Sequence, residues 1–155
     1  MVGTVRLATV ADVATLVEHR VRMFCDMGIG DEASLAEMGR RFAPWVTVRL
    51  QDGSYRSWLV ELDGQVVAGA DVWLRPRQPG LGGPKDVAPY VLNVYTVPGV
   101  RRKGVARRLM GLIMEWAAKE GHGTVELHAS EEGRPLYESL GFAATNEMRF
   151  RAGAL

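Results

Sequence analysis

The spacing of apolar positions changes along the chain, and each change marks an element. Val5-Arg6-Leu7-Ala8 alternates as a short strand does. Thr9-Val10-Ala11-Asp12 reads as a helix start, with the Thr9 hydroxyl as cap and Asp12 in the first turn. Val13, Leu16, Val17, Arg20 and Phe24 follow at helical spacing and predict a first helix ending near Met27-Gly28. A second helix is predicted from Asp31-Glu32 through Leu35, Met38 and Phe42. Pro44 is expected to stop it, with a further helical turn or two over Trp45 to Gln51. From Ser57 the period becomes that of strands. Trp58 to Leu62 and Val66 to Leu74 flank Asp63-Gly64, a pair that readily takes the positive φ of a tight hairpin turn.

Arg75 to Pro89, rich in proline and glycine, reads as a long surface loop within one domain, because neither flank is large enough to stand alone. Tyr90 to Val97 predicts a buried strand ended by Pro98. Val105, Leu109, Leu112, Ile113 and Trp116 share one face of a helix that Gly121 and Gly123 close. Thr124 to Ala129 predicts another strand, Arg134 to Leu140 a short helix capped by Gly141, and Asn146 to Arg151 a last strand. This order is that of a mixed α/β domain.

Composition excludes several classes. The chain has 155 residues, 47% hydrophobic and 24% charged, which suits a single soluble domain over residues 1–155. Its 19 Lys+Arg against 18 Asp+Glu argue against the broad basic surface that nucleic acid requires. No apolar stretch approaches the roughly 18 residues of a membrane span. Met1 to Ala8 lack the basic start and apolar run of a signal peptide. A lone Cys25 makes no internal disulfide and suits a reducing cytoplasm. His19, His122 and His128 are too widely spaced for a zinc pattern, so no metal is expected.

The even charge total hides one uneven stretch. Five of the basic residues crowd into Arg101 to Arg108, where a buried strand gives way to an amphipathic helix. The first amides of a helix lack internal partners and face outward with the positive end of its dipole, so the junction suits an anion. Gly104 lets a ligand approach the backbone without meeting a Cβ, and Ala106 keeps the next turn slim. The run is neither a P-loop nor a dinucleotide turn. It fits Arg/Gln-x-x-Gly-x-Gly/Ala as Arg101-x-x-Gly104-x-Ala106.

With that motif the chain resembles the GNAT superfamily of acetyl-CoA-dependent N-acetyltransferases. Asn93-Val94-Tyr95-Thr96-Val97-Pro98 is similar to the family's fourth strand, and Leu136-Tyr137-Glu138-Ser139-Leu140-Gly141-Phe142 to its Leu-Tyr-x-x-x-Gly-Phe signature. The resemblance implies an α/β (α+β) fold with a central mixed, mostly antiparallel twisted sheet of about six to seven strands, flanked by about four helices. It implies that amides of Arg101, Arg102, Lys103, Gly104, Val105 and Ala106 hold the CoA pyrophosphate. The backbone of Tyr95, Thr96 and Val97 would pair with the pantetheine arm. A bulge near Asn93-Val94 would turn an amide towards the thioester carbonyl. Tyr137 matches the tyrosine that protonates the departing thiolate. Ser130 stands where many members carry an asparagine that contacts the pantetheine.

The resemblance assigns no general base. His128 is attractive for its near-neutral pKa. Asn93, Asp26 and His128 are the candidates for the acceptor side. The segments expected to build that side are Asp26 to Glu32, which is acidic, and Arg75 to Pro89, which is basic. The expected function is transfer of an acetyl group from acetyl-CoA to a primary amine of a small molecule, by direct attack in a ternary complex. The alternatives are a protein or peptide N-acetyltransferase and a non-catalytic CoA-binding module. No nucleic-acid or membrane partner is expected, and a homodimer is expected by family analogy.

Overall fold

The computed structural model describes residues 3–81 and 83–153. Met1 and Val2, part of the stretch read for a leader, and Gly82 of the long loop lie outside the described residues. Strand β1, Thr4–Leu7, is followed by a 3-10 turn at Val10–Asp12 and by helix α1, Val13–Asp26. Thr9 and Asp12 close a reciprocal capping box, as their spacing predicts. Arg6 of β1 grips the Asp12 carboxylate with two guanidinium nitrogens at 2.9 and 2.8 Å, tying the strand to the helix start.

Helix α2 spans Glu32–Asp52 and does not stop at Pro44. The proline ring leaves the Arg40 carbonyl without its helical donor. Packing outweighs that loss: Phe42 and Val46, on either side of Pro44, are buried against Leu16, Tyr55 and Leu59. The Thr47 hydroxyl and the Arg49 guanidinium also donate to the carbonyls of Ala43 and Trp45, at 2.7 and 3.0 Å.

Strands β2, Tyr55–Leu62, and β3, Gln65–Pro76, form the expected hairpin. Asp63 and Gly64 take φ of 50° and 76°, both left-handed. Strand β4 spans Val87–Thr96, so the loop after β3 is shorter than its composition suggests. Pro76, Ala88 and Pro89 are drawn into the β3–β4 ladder. Helix α3, Val105–Lys119, strand β5, Glu126–Leu127, and helix α4, Arg134–Ser139, complete the elements.

Among the described residues the sheet has five strands in the order β1-β2-β3-β4-β5, with β4 and β5 parallel and the other pairs antiparallel. The expected last strand at Asn146 to Arg151 is not formed, which accounts for the count below six. That segment meets only the two-residue β5 as a template, and Met148 and Phe150 are 94% and 73% exposed. One sheet face carries Trp58, Val60, Ala68, Ala70, Val72 and Val91 against α3. The other carries Tyr55 and Leu59 against α1 and α2. The alternation of side chains along each strand makes both faces apolar and places a core on each side of the sheet.

Candidate active site

The site begins where two strands part. Among the described residues β5 pairs with β4 only at Tyr90–Glu126 and Val91–Leu127, and beyond Val91 β4 runs on to Thr96 with no described strand on that edge. Peptide groups on an unpaired edge are ready to bond an extended ligand. Within the same stretch β4 bulges. Its register against β3 passes from Leu92–Asp71 to Tyr95–Gly69, leaving Asn93 and Val94 opposite the single residue Ala70. Asn93 takes φ of 52°. The bulge therefore sits at the position expected from sequence, and such a feature re-aims the local peptide groups.

The edge of β4 leads through a 3-10 turn at Pro98–Val100 to the start of α3. Val100 and Val105, both buried, anchor the connecting loop at each end. Between them Arg102 and Gly104 take φ of 61° and 76°, which curls the chain into a tight loop. Gly104 is the N-cap, and among the described residues no side-chain cap bonds the first amides of the helix. The first helical bond runs from Arg108 N to the Gly104 carbonyl at 3.0 Å, so the amides before it have no helical acceptor. A Cβ built on Gly104 would meet no atom within 4 Å. The space above the loop is open, and the demand for glycine at this point comes from its φ.

The basic cluster divides in two. Arg101 donates to the Thr96 carbonyl at 2.8 Å, pairs with Asp26, and lies over the Tyr95 ring. Arg107 bonds the Ser139 hydroxyl at 2.7 Å, and Arg108 bonds the Gly3 carbonyl at 3.0 Å. These three fasten the loop and α3 to α1, α4 and the start of β1. Arg102 and Lys103 are exposed at the loop tip and make no ion pair among the described residues. Asp26 thus offsets the charge of Arg101, whereas Arg102 and Lys103 present theirs at the loop tip.

The remaining sequence candidates fall around this opening. Tyr137 is half-buried on α4, with its ring 6.0 Å from that of Phe142, and burial pushes its hydroxyl pKa up. Ser130 shapes the turn into α4: its hydroxyl accepts from Gly133 N at 3.0 Å, and its carbonyl from Arg134 N at 2.9 Å. His128 is the first residue beyond β5, edge-on to Tyr90, with Nε2 3.3 Å from the Arg149 guanidinium. Tyr95 packs against His19, with ring centroids 5.1 Å apart.

The acidic and basic segments expected from sequence on the acceptor side are partly engaged within the protein. Asp26 faces Arg101, and Asp31 caps α2 by accepting from Ser34 N at 2.7 Å. Arg75 lies over the Tyr90 ring and pairs with Glu126 at 3.1 Å. Among the described residues no group of His, Cys, Asp and Glu could hold a metal ion.

Behind the bulge lies a network that the sequence reading does not identify. Asn93 is 3% exposed, and its side chain points into the protein. Arg20 donates to Asn93 Oδ1 at 2.8 Å, while Asn93 Nδ2 lies 3.0 Å from both Asp71 Oδ2 and the Tyr55 hydroxyl. Tyr55 in turn donates to Asp71 Oδ2 at 2.7 Å. The Arg20 guanidinium lies 5.1 Å from the Phe24 ring and 5.2 Å from the Phe42 ring. Two signals for this network exist in the sequence: an arginine on the apolar face of α1, and an aspartate in the midst of the apolar run of β3.

The matched relatives share this arrangement of elements. A GCN5-related N-acetyltransferase from Ralstonia eutropha JMP134 superposes with a TM-score of 0.89 at 33% identity, over 97% of this chain and 99% of that one. A predicted acetyltransferase from Clostridium acetobutylicum, solved with acetyl-CoA, superposes with a TM-score of 0.87 at 25% identity, over 96% and 94% of the two chains. By sequence, the aminoglycoside N(6')-acetyltransferase type 1 of Serratia marcescens is 33% identical over 92 residues, which are 57% of this chain and 62% of that protein. The chain spans about half to three-fifths of the length of the curated relatives it matches. The family model described as acetyltransferase (GNAT) matches residues 13–142, from the start of α1 to the end of the Leu-Tyr-x-x-x-Gly-Phe segment. The chain belongs to the GNAT acetyltransferase family.

Proposed function

We propose that the protein is an N-acetyltransferase that moves the acetyl group of acetyl-CoA to a primary amine of a small molecule, by direct attack in a ternary complex. The observation that carries this reading is the continuous path from the unpaired edge of β4, past its bulge, to the uncapped amides at Gly104. Its parts fit the donor: an extended edge for a pantetheine arm and a curled helix start for a pyrophosphate. The relative solved with acetyl-CoA and the aminoglycoside-modifying relative support the donor and the kind of acceptor.

On this reading the amides of Arg101, Arg102, Lys103, Gly104, Val105 and Ala106 bind the pyrophosphate. The backbone of Tyr95, Thr96 and Val97 aligns the arm, and Ser130 lies beside it. Acetyl-CoA supplies an acetyl group already activated as a thioester. A peptide N–H at the Asn93-Val94 bulge presents a donor where negative charge develops. Tyr137 holds a proton at its hydroxyl for the leaving sulfur: a phenol is protonated at neutral pH, and burial pushes its pKa further up. Asp26 and His128 border the acceptor side, and Asn93 acts there through its backbone.

CoA thiol release measured over a panel of small amines and peptides tests the assignment. Turnover of small amines is expected; turnover of peptides alone would replace the acceptor class, and CoA binding without turnover would reduce the protein to a binding module. The same reading takes the protein as a cytoplasmic homodimer, by analogy with the family. Exposed Met148 and Phe150 offer apolar surface to a second copy. Sedimentation at micromolar concentration is expected to show a dimer, and a monomer would refute that part.

A further inference from the structure

A residue other than glycine at positive φ is uncommon, and the apolar sequence around Asn93 does not by itself impose it. The side chain of Asn93 is instead held from both ends. A guanidinium only donates, and an ionised carboxylate only accepts. Between Arg20 and Asp71, a carboxamide fits in one orientation, with Oδ1 towards the arginine and Nδ2 towards the carboxylate, as the distances show. An aspartate at this position would set two carboxylates together, and an apolar side chain would take the Oδ1 acceptor from Arg20 and one donor from Asp71.

The tie reaches across the molecule. It joins α1 through Arg20, β2 through Tyr55, β3 through Asp71 and β4 through Asn93, and the rings of Phe24 and Phe42 flank the guanidinium. Tyr55 and Asp71 are each 2% exposed, so neither is open to an acceptor.

We propose that Arg20, Tyr55 and Asp71 are positioning residues that clamp the Asn93 side chain and so set the direction of the peptide groups in the β4 bulge for acetyl transfer. The proposal rests on the acetyltransferase reading above. The clamp acts on geometry at the bulge and leaves the loop at Gly104 untouched, so it should separate turnover from donor affinity. The cost of the arrangement also favours a role beyond packing. Burial pushes the Asp71 carboxyl up to about 6, so its ionised form is held against the preference of its surroundings.

The test uses the full chain with Asp71→Ala, Asn93→Gly and Asp71→Asn. Asn93→Gly keeps a residue suited to the left-handed conformation while removing the clamped side chain, and it carries the test if Asp71→Ala fails to fold. Asp71→Asn can still offer one oxygen to Tyr55 and Asn93. In the unliganded protein, amide hydrogen exchange at residues 93 and 94 should quicken at least about tenfold in Asp71→Ala and Asn93→Gly, with α3 unchanged. The kcat of both should fall about 10- to 100-fold, while the calorimetric Kd for acetyl-CoA stays within about threefold. Asp71→Asn should bring both readouts back to within about threefold of the original.

Unchanged exchange at the bulge, unchanged kcat, or a loss of acetyl-CoA affinity in step with kcat would overturn the proposal. If the unaltered protein acetylates no amine, the acetyltransferase reading fails while the exchange result still decides for or against the clamp.

Discussion

Asp71 and His19 lie on the same side of the sheet, and burial moves their protonation in opposite ways. The Asp71 carboxyl rises to about 6, and the His19 imidazole falls to about 4, chiefly through loss of water. The folded chain thus holds the Asp71 proton more tightly than the unfolded one. Its contribution favours folding at low pH and is lost as pH rises from about 4 to about 6. The folded chain holds the His19 proton less tightly, so that contribution is present above about 6.5 and is lost as pH falls towards 4. Each amounts to about 3 kcal/mol at full extent, and the two slopes largely offset each other. Asp71→Asn should therefore raise stability at pH 8 by about 1–3 kcal/mol and expose the His19 slope, with stability falling from pH 6.5 to 4 more steeply than in the original. Urea midpoints across that range check this, and parallel curves would contradict it. Tyr137 has a simpler expectation. Its half-buried hydroxyl makes no hydrogen bond among the described residues, and burial pushes its pKa further above the ordinary phenol value. Tyr137→Phe should lower kcat by about 10- to 100-fold and leave the calorimetric affinity for acetyl-CoA unchanged. Turnover at the original level would remove the acid role.

Two elements show where local signals hold and where packing overrides them. The start of α3 depends on Gly104 at φ of 76°. A β-branched residue there incurs about 1–2 kcal/mol of backbone strain, and the loop would relax by moving its amides. Gly104→Val is therefore expected to weaken acetyl-CoA binding at least about tenfold by calorimetry, and an unchanged affinity would refute the role of the loop. In α2 the reading of Pro44 as a stop fails because the periodic apolar face continues through it to Val46. Pro44 itself is exposed, so Pro44→Ala would restore a backbone donor while losing little packing. It should stabilise the fold by about 1–3 kcal/mol in urea titration. The capping boxes at Thr9 and Asp31 and the left-handed pair Asp63-Gly64 form from residues within four positions of one another. The strand expected at Asn146 to Arg151 needed a long neighbouring strand and found only β5.

At the scale of the molecule, one sheet with a core on each face carries the proposed donor path along its parted edge. A ligand that binds only the folded chain stabilises it by mass action. Acetyl-CoA at about 100 times its Kd should add about 2.7 kcal/mol and raise Tm by about 5–10 °C. The shift should fall to about half or less in Gly104→Val, and its absence from the original protein would count against the donor assignment. The sequence by itself determined the order of elements as far as the last helix, the hairpin, the glycine loop opening α3 and the Leu-Tyr-x-x-x-Gly-Phe helix. Each is written in periodicity, caps or tolerance of positive φ, which act over a few neighbouring residues. Charge clustering was legible too, but its division was not. Only the folded chain shows that Arg101 meets Asp26, 75 positions away, while Lys103 stays exposed. Tertiary structure alone decided where β4 parts from β5 and how the bulge is held. Arg20 and Asn93, 73 positions apart, meet through sheet register and the docking of α1, and no local pattern encodes that distance.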